Sequence, residues 1–118
     1  MKFFKTIVYI IILLIMPVSS HAQNLPAFDE FITNSGKIEL HFIGHGSLMF
    51  KSDKFVIHID PVSTSGSYEN LPKADLILIT HEHGDHLDPD LIARLKKENT
   101  VLFTNQSSAA KVSWAKVM

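Results

Sequence analysis

Leu76-Ile77-Leu78-Ile79-Thr80-His81-Glu82-His83-Gly84-Asp85-His86 decides how the rest of this chain is read. A short apolar run leads straight into four potential metal ligands spaced H-x-H-x-D-H. The run is bounded by turn signals, which predicts a strand buried on both faces. Residues two apart on a strand point to the same side, so His81 and His83 are expected to aim at a common point. Gly84 is expected to let the backbone turn sharply, swinging Asp85 and His86 toward a second point close to the first. Imidazole and carboxylate donors suit zinc and related divalent ions. The competing reading is a solvated turn, because Gly and Asp favour turns in any case. Four donors at this spacing, three of them histidines, favour half of a metal site for one ion or two.

Working outward, the segment before the motif reads as strands. Lys37-Ile38-Glu39-Leu40-His41-Phe42 alternates polar and apolar residues, the pattern of a half-buried strand. Gly44-His45-Gly46-Ser47 interrupts it as a turn or bulge, Leu48-Met49-Phe50 resumes a strand, and Ser52-Asp53-Lys54 is a polar hairpin connection. Phe55 to Ile59 is a third strand, ended by Asp60-Pro61, and the Ser/Gly-rich stretch from Val62 to Pro72 is expected to be an exposed loop. Further upstream, Phe28, Phe31 and Ile32 fall at helical spacing and predict a short helix. After the motif, Asp88 is placed to cap a helix that starts at Pro89, with Leu91, Ile92 and Leu95 as its apolar stripe. Thr100 to Thr104 reads as another buried strand, and Ser107 to Lys116 as the start of a helix. Strands interleaved with helices make this an α/β (α+β) chain.

Asp60 lies at a strand end with a carboxylate free to face the same rim as the motif. It is a candidate to orient a ligand histidine from outside the coordination sphere; alone it would be a turn-initiating Asp-Pro. His45, between two glycines, is either a second group of that kind or an exposed loop histidine. His41 and His58 alternate with apolar neighbours and are expected on the wetter face of their strands, without a role. Asp88 is expected to be a helix cap rather than a ligand.

Composition narrows the function classes. Lys2 and Lys5 precede the apolar run from Ile7 to Met16, Pro17 breaks it, and Ser20-His21-Ala22 offers small residues at a cleavage site. This is the pattern of a secretory signal peptide over residues 1–22, leaving a domain over 23–118 that is exported, periplasmic or secreted. The run falls short of the roughly 20 residues of a membrane span, so no stable membrane anchor is expected after cleavage. The absence of cysteine excludes disulfides, thiolate ligands and a lipid-modified cysteine. With 11 Lys and Arg against 12 Asp and Glu, no basic character points to nucleic acid. A small-molecule substrate is the expected partner.

Together these residues resemble the metallo-β-lactamase-fold hydrolases. Thr80 to Asp88, T-H-E-H-G-D-H-L-D, looks like that superfamily's signature. The stretch from Phe42 to Val62, with I-G-H-G-S and H-I-D-P-V, resembles the branch of the ascorbate-6-phosphate lactonase-like and N-acylphosphatidylethanolamine phospholipase D proteins. The resemblance covers about residues 37 to 104. It implies an αββα sandwich in which His81 and His83 hold one divalent ion, and Asp85 and His86 a second. Zinc is the first expectation for these ions, with manganese or iron as alternatives. Asp60 would match the family's aspartate at the end of an earlier strand. The implied chemistry is attack of a metal-activated hydroxide on an ester, lactone, amide or phosphodiester, with Asp85 as the catalytic residue that helps orient the water. The family completes its site with further His and Asp or Cys residues, whereas this chain has none of the three types after Asp90. Each ion would then have two protein ligands, where a catalytic zinc normally has three. The chain is accordingly expected to be the N-terminal half of the sandwich, truncated and inactive alone. The alternative is a non-catalytic exported metal-binding protein.

Overall fold

Polar and apolar residues alternating along a strand can satisfy two different surroundings, and the first half of this chain folds around that alternation. The computed structural model describes residues 25–118; the expected signal peptide, residues 1–22, lies outside them. Four strands run antiparallel in chain order: β1 (Phe28–Thr33), β2 (Gly36–Gly44), β3 (Ser47–Ser52) and β4 (Val56–Ile59). The sheet then turns parallel through β5 (Leu76–Leu78), β6 (Val101–Thr104) and β7 (Lys116–Val117), giving the spatial order β1-β2-β3-β4-β5-β6-β7. Helix α1 (Pro89–Leu95) makes the crossover from β5 to β6, and the single turn α2 (Gln106–Ala109) follows β6.

The core forms where α1 lies on the parallel strands. Leu91, Ile92 and Leu95 are buried with Ile77, Ile79 and Leu102, and Ala74, Leu87, Tyr68 and Val112 close the cluster. Each large apolar side chain buried this way stabilises by about 1.5–3 kcal/mol. Asp88 caps α1 as its sequence position implies: Oδ1 accepts from the Leu91 amide at 3.0 Å, and Oδ2 from the Ser63 hydroxyl at 2.6 Å. The cap therefore also pins the loop after β4 to the helix.

Three expectations from sequence need correction. Residues 28–32 form an edge strand instead of a helix. The turn at Asn34-Ser35, closed by Gly36 at φ +119°, folds β1 back on β2, and that ladder takes up the backbone hydrogen bonds a helix would have used. Phe28, Phe31 and Ile32 all remain exposed, so no core packing favours a helix here over the ladder. Second, the helix expected from Ser107 toward Lys116 stops at one turn: Asn105 caps it through the Ser108 amide, and the chain extends again to pair Lys116 and Val117 with β6. Third, His41 and His58 are buried rather than on a wetter face. The period of two is right, but the faces are reversed. The face carrying Glu39, His41, Met49 and His58 is the covered one, because the loop from Val62 to Pro72 folds back over it. That loop is irregular, as expected, yet it buries Val62 and Tyr68; Pro72 accepts a hydrogen bond from His58 Nε2 at 2.9 Å. The apolar row opposite, Leu40, Leu48, Phe50, Ile57 and Ile59, is half exposed, as for one sheet of a sandwich.

Glu39 gives that covered face a pH-dependent contribution. Its carboxylate accepts from His41 Nε2 at 2.9 Å and Lys51 Nζ at 3.1 Å, and contacts Lys37 at 3.1 Å. These partners, His41 first, hold it down at about 2 from an ordinary 4.5. A carboxyl depressed in the folded state stabilises fully above its unfolded value and loses that contribution as pH falls through its folded value. The stability difference between the wild type and Glu39→Gln is thus expected to be constant above about pH 4.5 and to close toward pH 2. Urea unfolding across that range checks it, and a gap that persists unchanged at pH 2 would refute it.

Candidate metal centre

β5 ends at Leu78, so the motif is not an extension of the strand and its histidines do not converge by strand alternation. They converge because the loop is tied at three places. The amides of His86 and Leu87 both donate to the His83 carbonyl at 2.9 Å, closing a turn. Lys111 Nζ donates to the Glu82 carbonyl at 2.7 Å. Asp60 holds the loop's start, accepting from the Thr80 amide at 2.7 Å and the Thr80 hydroxyl at 2.6 Å. Gly84, expected to supply a sharp turn through unusual backbone angles, is not in the left-handed region, and a Cβ there would meet nothing within 4 Å.

The unusual angles lie elsewhere. Among the described residues two non-glycine positions have positive φ, His45 at +50° and Asp60 at +42°, and both reach the motif with their side chains. Such positions cost roughly 1–3 kcal/mol and cluster at functional sites. Gly46 shows why the neighbour of His45 is a glycine: a Cβ there would sit 2.8 Å from Cε1 of His86.

The donors form two groups that share one residue. Donor atoms of His81, His83 and Asp85 lie within 4.8 Å of one another, and so do those of His45, Asp85 and His86. The rings of His81 and His83 are 4.7 Å apart, and those of His81 and His86 4.0 Å. His45 Nε2 is 3.0 Å from Asp85 Oδ2, and His86 Nε2 is 3.7 Å from the same oxygen. The Asp85 carboxyl is held below the usual carboxylate range, first by a backbone N–H and then by His45, with the charges of His86 and His45 adding to them. His83, Asp85 and His45 are exposed and His86 is half-buried, so the group stands open at the rim of the sheet.

One buried carboxylate sets the ring orientation of two of these histidines. Asp60 Oδ2 is 2.8 Å from His86 Nδ1; a carboxylate only accepts, so Nδ1 carries the proton and Nε2 is left free. The Thr80 hydroxyl has one hydrogen, and the 2.6 Å contact with the same carboxylate oxygen claims it. Toward His81 Nδ1, at 2.9 Å, the hydroxyl oxygen can therefore only accept. That leaves His81 Nε2 free as well. Free imidazole nitrogens, an ionised carboxylate and an orienting partner behind the rings are what a divalent N/O site requires, so the residues fit a metal ion.

The family model described as a β-lactamase superfamily domain matches residues 39–117, two-thirds of the chain. The chain belongs to the β-lactamase superfamily. Among superfamily relatives, a UPF0173 metal-dependent hydrolase of Thermus thermophilus is 38% identical over 71 residues, covering 57% of this chain and 31% of the relative. Another, from Bacillus cereus, is 35% identical over 82 residues, covering 66% of this chain and 35% of the relative. A solved structure from Parabacteroides distasonis, described as a candidate metal-dependent hydrolase, superposes with a TM-score of 0.73 at 47% identity, covering 78% of this chain and 42% of that one. The chain thus spans about a third of the length of the curated relatives it matches. The fold is α+β, with a mixed sheet and few helices.

The structure brings together all six residues singled out from sequence: His81, His83, Asp85 and His86 in the loop, Asp60 behind His86, and His45 against Asp85. Three contributors had drawn no attention. Thr80 carries the link from Asp60 to His81, Lys111 tethers Glu82 from 29 residues away, and the buried Ser47 hydroxyl donates to the Asp60 carbonyl at 2.6 Å. The T in T-H-E-H was visible as the residue before the motif; Lys111 carried no signal at all.

Proposed function

We propose that this chain carries the metal-binding portion of an exported hydrolase that cleaves an ester, lactone, amide or phosphodiester in a small molecule. Its ligands are His81, His83, Asp85 and His86, taking one or two divalent ions, zinc first and manganese or iron next. The observation that carries this reading is the convergence of three imidazoles on one exposed carboxylate, with Asp60 turning the free nitrogen of His86 outward. When bound, the ion lowers the pKa of a water molecule and polarises the bond under attack. The chain's residues do the rest. Asp85, anionic and open to solvent, accepts a hydrogen bond from a water at the rim and so orients it, while His45 steadies Asp85 through the 3.0 Å contact. Asp60 and Thr80 keep protons on the inner ring nitrogens of His86 and His81, so the outer nitrogens remain available.

The test is the purified chain with zinc or manganese, assayed for metal content and against a panel of esters, lactones, amides and phosphodiesters. One or two ions retained by this chain after dialysis, with chelator-sensitive hydrolysis by a longer chain that contains it, is the expected result for the hydrolase. Ions retained without hydrolysis of any panel member by either chain would favour the non-catalytic metal-binding reading. No ion retained by either chain would defeat both. Relatives of about three times the matched length make the same panel on a longer chain the natural companion experiment.

A further inference from the structure

We propose that Thr80 is the positioning residue of one ion site, that of His81 and His83, and that through it both ion sites draw on a single oxygen of Asp60. This deepens the metal-hydrolase reading and rests on it. Asp60 reaches the two histidines by different routes. Its Oδ2 accepts directly from His86 Nδ1 at 2.8 Å. It reaches His81 through the Thr80 hydroxyl, which donates to the same Oδ2 at 2.6 Å and accepts from His81 Nδ1 at 2.9 Å. The hydrogen bonds therefore have a direction, from His81 to Thr80 to Asp60 on one side and from His86 to Asp60 on the other. A hydroxyl has one hydrogen and two lone pairs, so it passes the pull of a carboxylate on to a ring N–H. A side chain without that hydroxyl cannot.

The loop does not need this hydroxyl to stay in place. The Thr80 amide is already held by Asp60 Oδ1 at 2.7 Å, and the loop is closed further along at the His83 carbonyl and at Glu82 by Lys111. Thr80 is exposed, so water could satisfy its hydroxyl equally well. What the hydroxyl adds is a fixed proton on His81 Nδ1 and hence a fixed ring orientation. Two donors on one oxygen also compete. An ion on either histidine makes the N–H on the far side of that ring a stronger donor, and linked hydrogen bonds polarise one another. Taking away the Thr80 branch therefore weakens the ion at His81 and leaves Asp60 Oδ2 wholly to His86.

Thr80→Val is the informative variant, because valine keeps the branched shape and the backbone amide and loses the hydroxyl, which Thr80→Ser keeps. The first readout is metal-free. With the histidine rings labelled with ¹⁵N, above the usual histidine pKa of about 6.5, wild type and Thr80→Ser should carry the His81 proton on Nδ1. In Thr80→Val it should move toward Nε2, while His86 keeps its proton on Nδ1 in all three proteins. The second readout is zinc titration of this chain, or of a longer chain that contains it, with ¹¹³Cd couplings to the labelled rings assigning each affinity to its site. Thr80→Val should bind the ion at His81 about 10–100-fold more weakly, the loss typical of an outer partner, and the ion at His86 no more weakly than wild type. Thr80→Ser should match wild type at both. A His81 tautomer unchanged in Thr80→Val, a similar loss at both ions, or a Thr80→Ser protein no better than Thr80→Val would overturn the role of Thr80. A wild type that takes up neither zinc nor cadmium in either chain would overturn the metal reading, a failure that the His81 tautomer of the metal-free chain keeps apart from that of Thr80.

Discussion

Asp85→Ala is expected to remove metal binding almost entirely while leaving the fold untouched. Asp85 is the one residue common to both donor groups, so its loss reduces each from three donors to two. Two imidazoles without a carboxylate hold a divalent ion poorly, and the charge that offsets the ion goes with it. A fall in zinc affinity well beyond 100-fold is the expected magnitude, since even outer partners of metal ligands are worth 10–100-fold. Any hydrolysis that the wild type shows should fall in parallel, because the proposed role of Asp85 includes orienting the attacking water. Stability tells a different story. The Asp85 side chain is 59% exposed and contacts only other exposed or half-buried donors, and exposed substitutions of this kind stay within about 0.5 kcal/mol. Isothermal titration with zinc, alongside thermal unfolding of the metal-free protein, separates the two quantities. If Asp85→Ala binds zinc as well as wild type, or unfolds many degrees earlier, the shared-carboxylate site is wrong.

The donor cluster was legible in the sequence because most of its members are local. His81 to His86 span six residues, and any turn that closes them brings imidazoles near one another. Reading them as a strand extension was wrong in mechanism, since the loop is closed by hydrogen bonds to His83, Glu82 and Thr80 rather than by pleating. His45 and Asp60 were visible as candidates because each sits at a break in a strand. Their roles were not, since those depend on β2, β3 and β4 lying side by side, so that residues 40 and 26 positions away from their partners meet. The faces of the sheet were misjudged for a related reason. Alternation shows that His41 and Leu40 point to opposite sides, but which side is covered depends on where the loop from Val62 to Pro72 folds. That loop has no periodicity to read. The hairpin of β1 was missed because Phe28, Phe31 and Ile32 have a helical spacing that the Asn34-Ser35-Gly36 turn overrides, its ladder to β2 satisfying the backbone.

Asp60→Ala should show the opposite profile, a large loss of stability with a smaller loss of metal affinity. Asp60 is 2% exposed, and its carboxylate accepts three hydrogen bonds, from the Thr80 amide, the Thr80 hydroxyl and His86 Nδ1. Hydrogen bonds to a charged group contribute about 1.5–3 kcal/mol each, and a donor left buried without a partner costs about 1–3. Thr80 is exposed and can turn part of its polarity to water, which brings the expected loss down to about 2–4 kcal/mol. The backbone adds to it, because alanine at φ +42° is less tolerated than aspartate. For a domain of this size the melting temperature should drop by roughly 10–25 °C. Asp60→Gly relieves the backbone but not the lost hydrogen bonds, so its recovery over Asp60→Ala measures the conformational share alone. Asp60→Asn suits the same backbone angles and still accepts through its amide oxygen, and it should recover about half of the stability. Zinc affinity in all three variants should fall by about 10–100-fold, as His86 and His81 lose the partner that sets their ring orientation. A Asp60→Asn protein with wild-type stability and wild-type zinc affinity would mean that Asp60 is only the first residue of an Asp-Pro turn, and that something else orients the histidines.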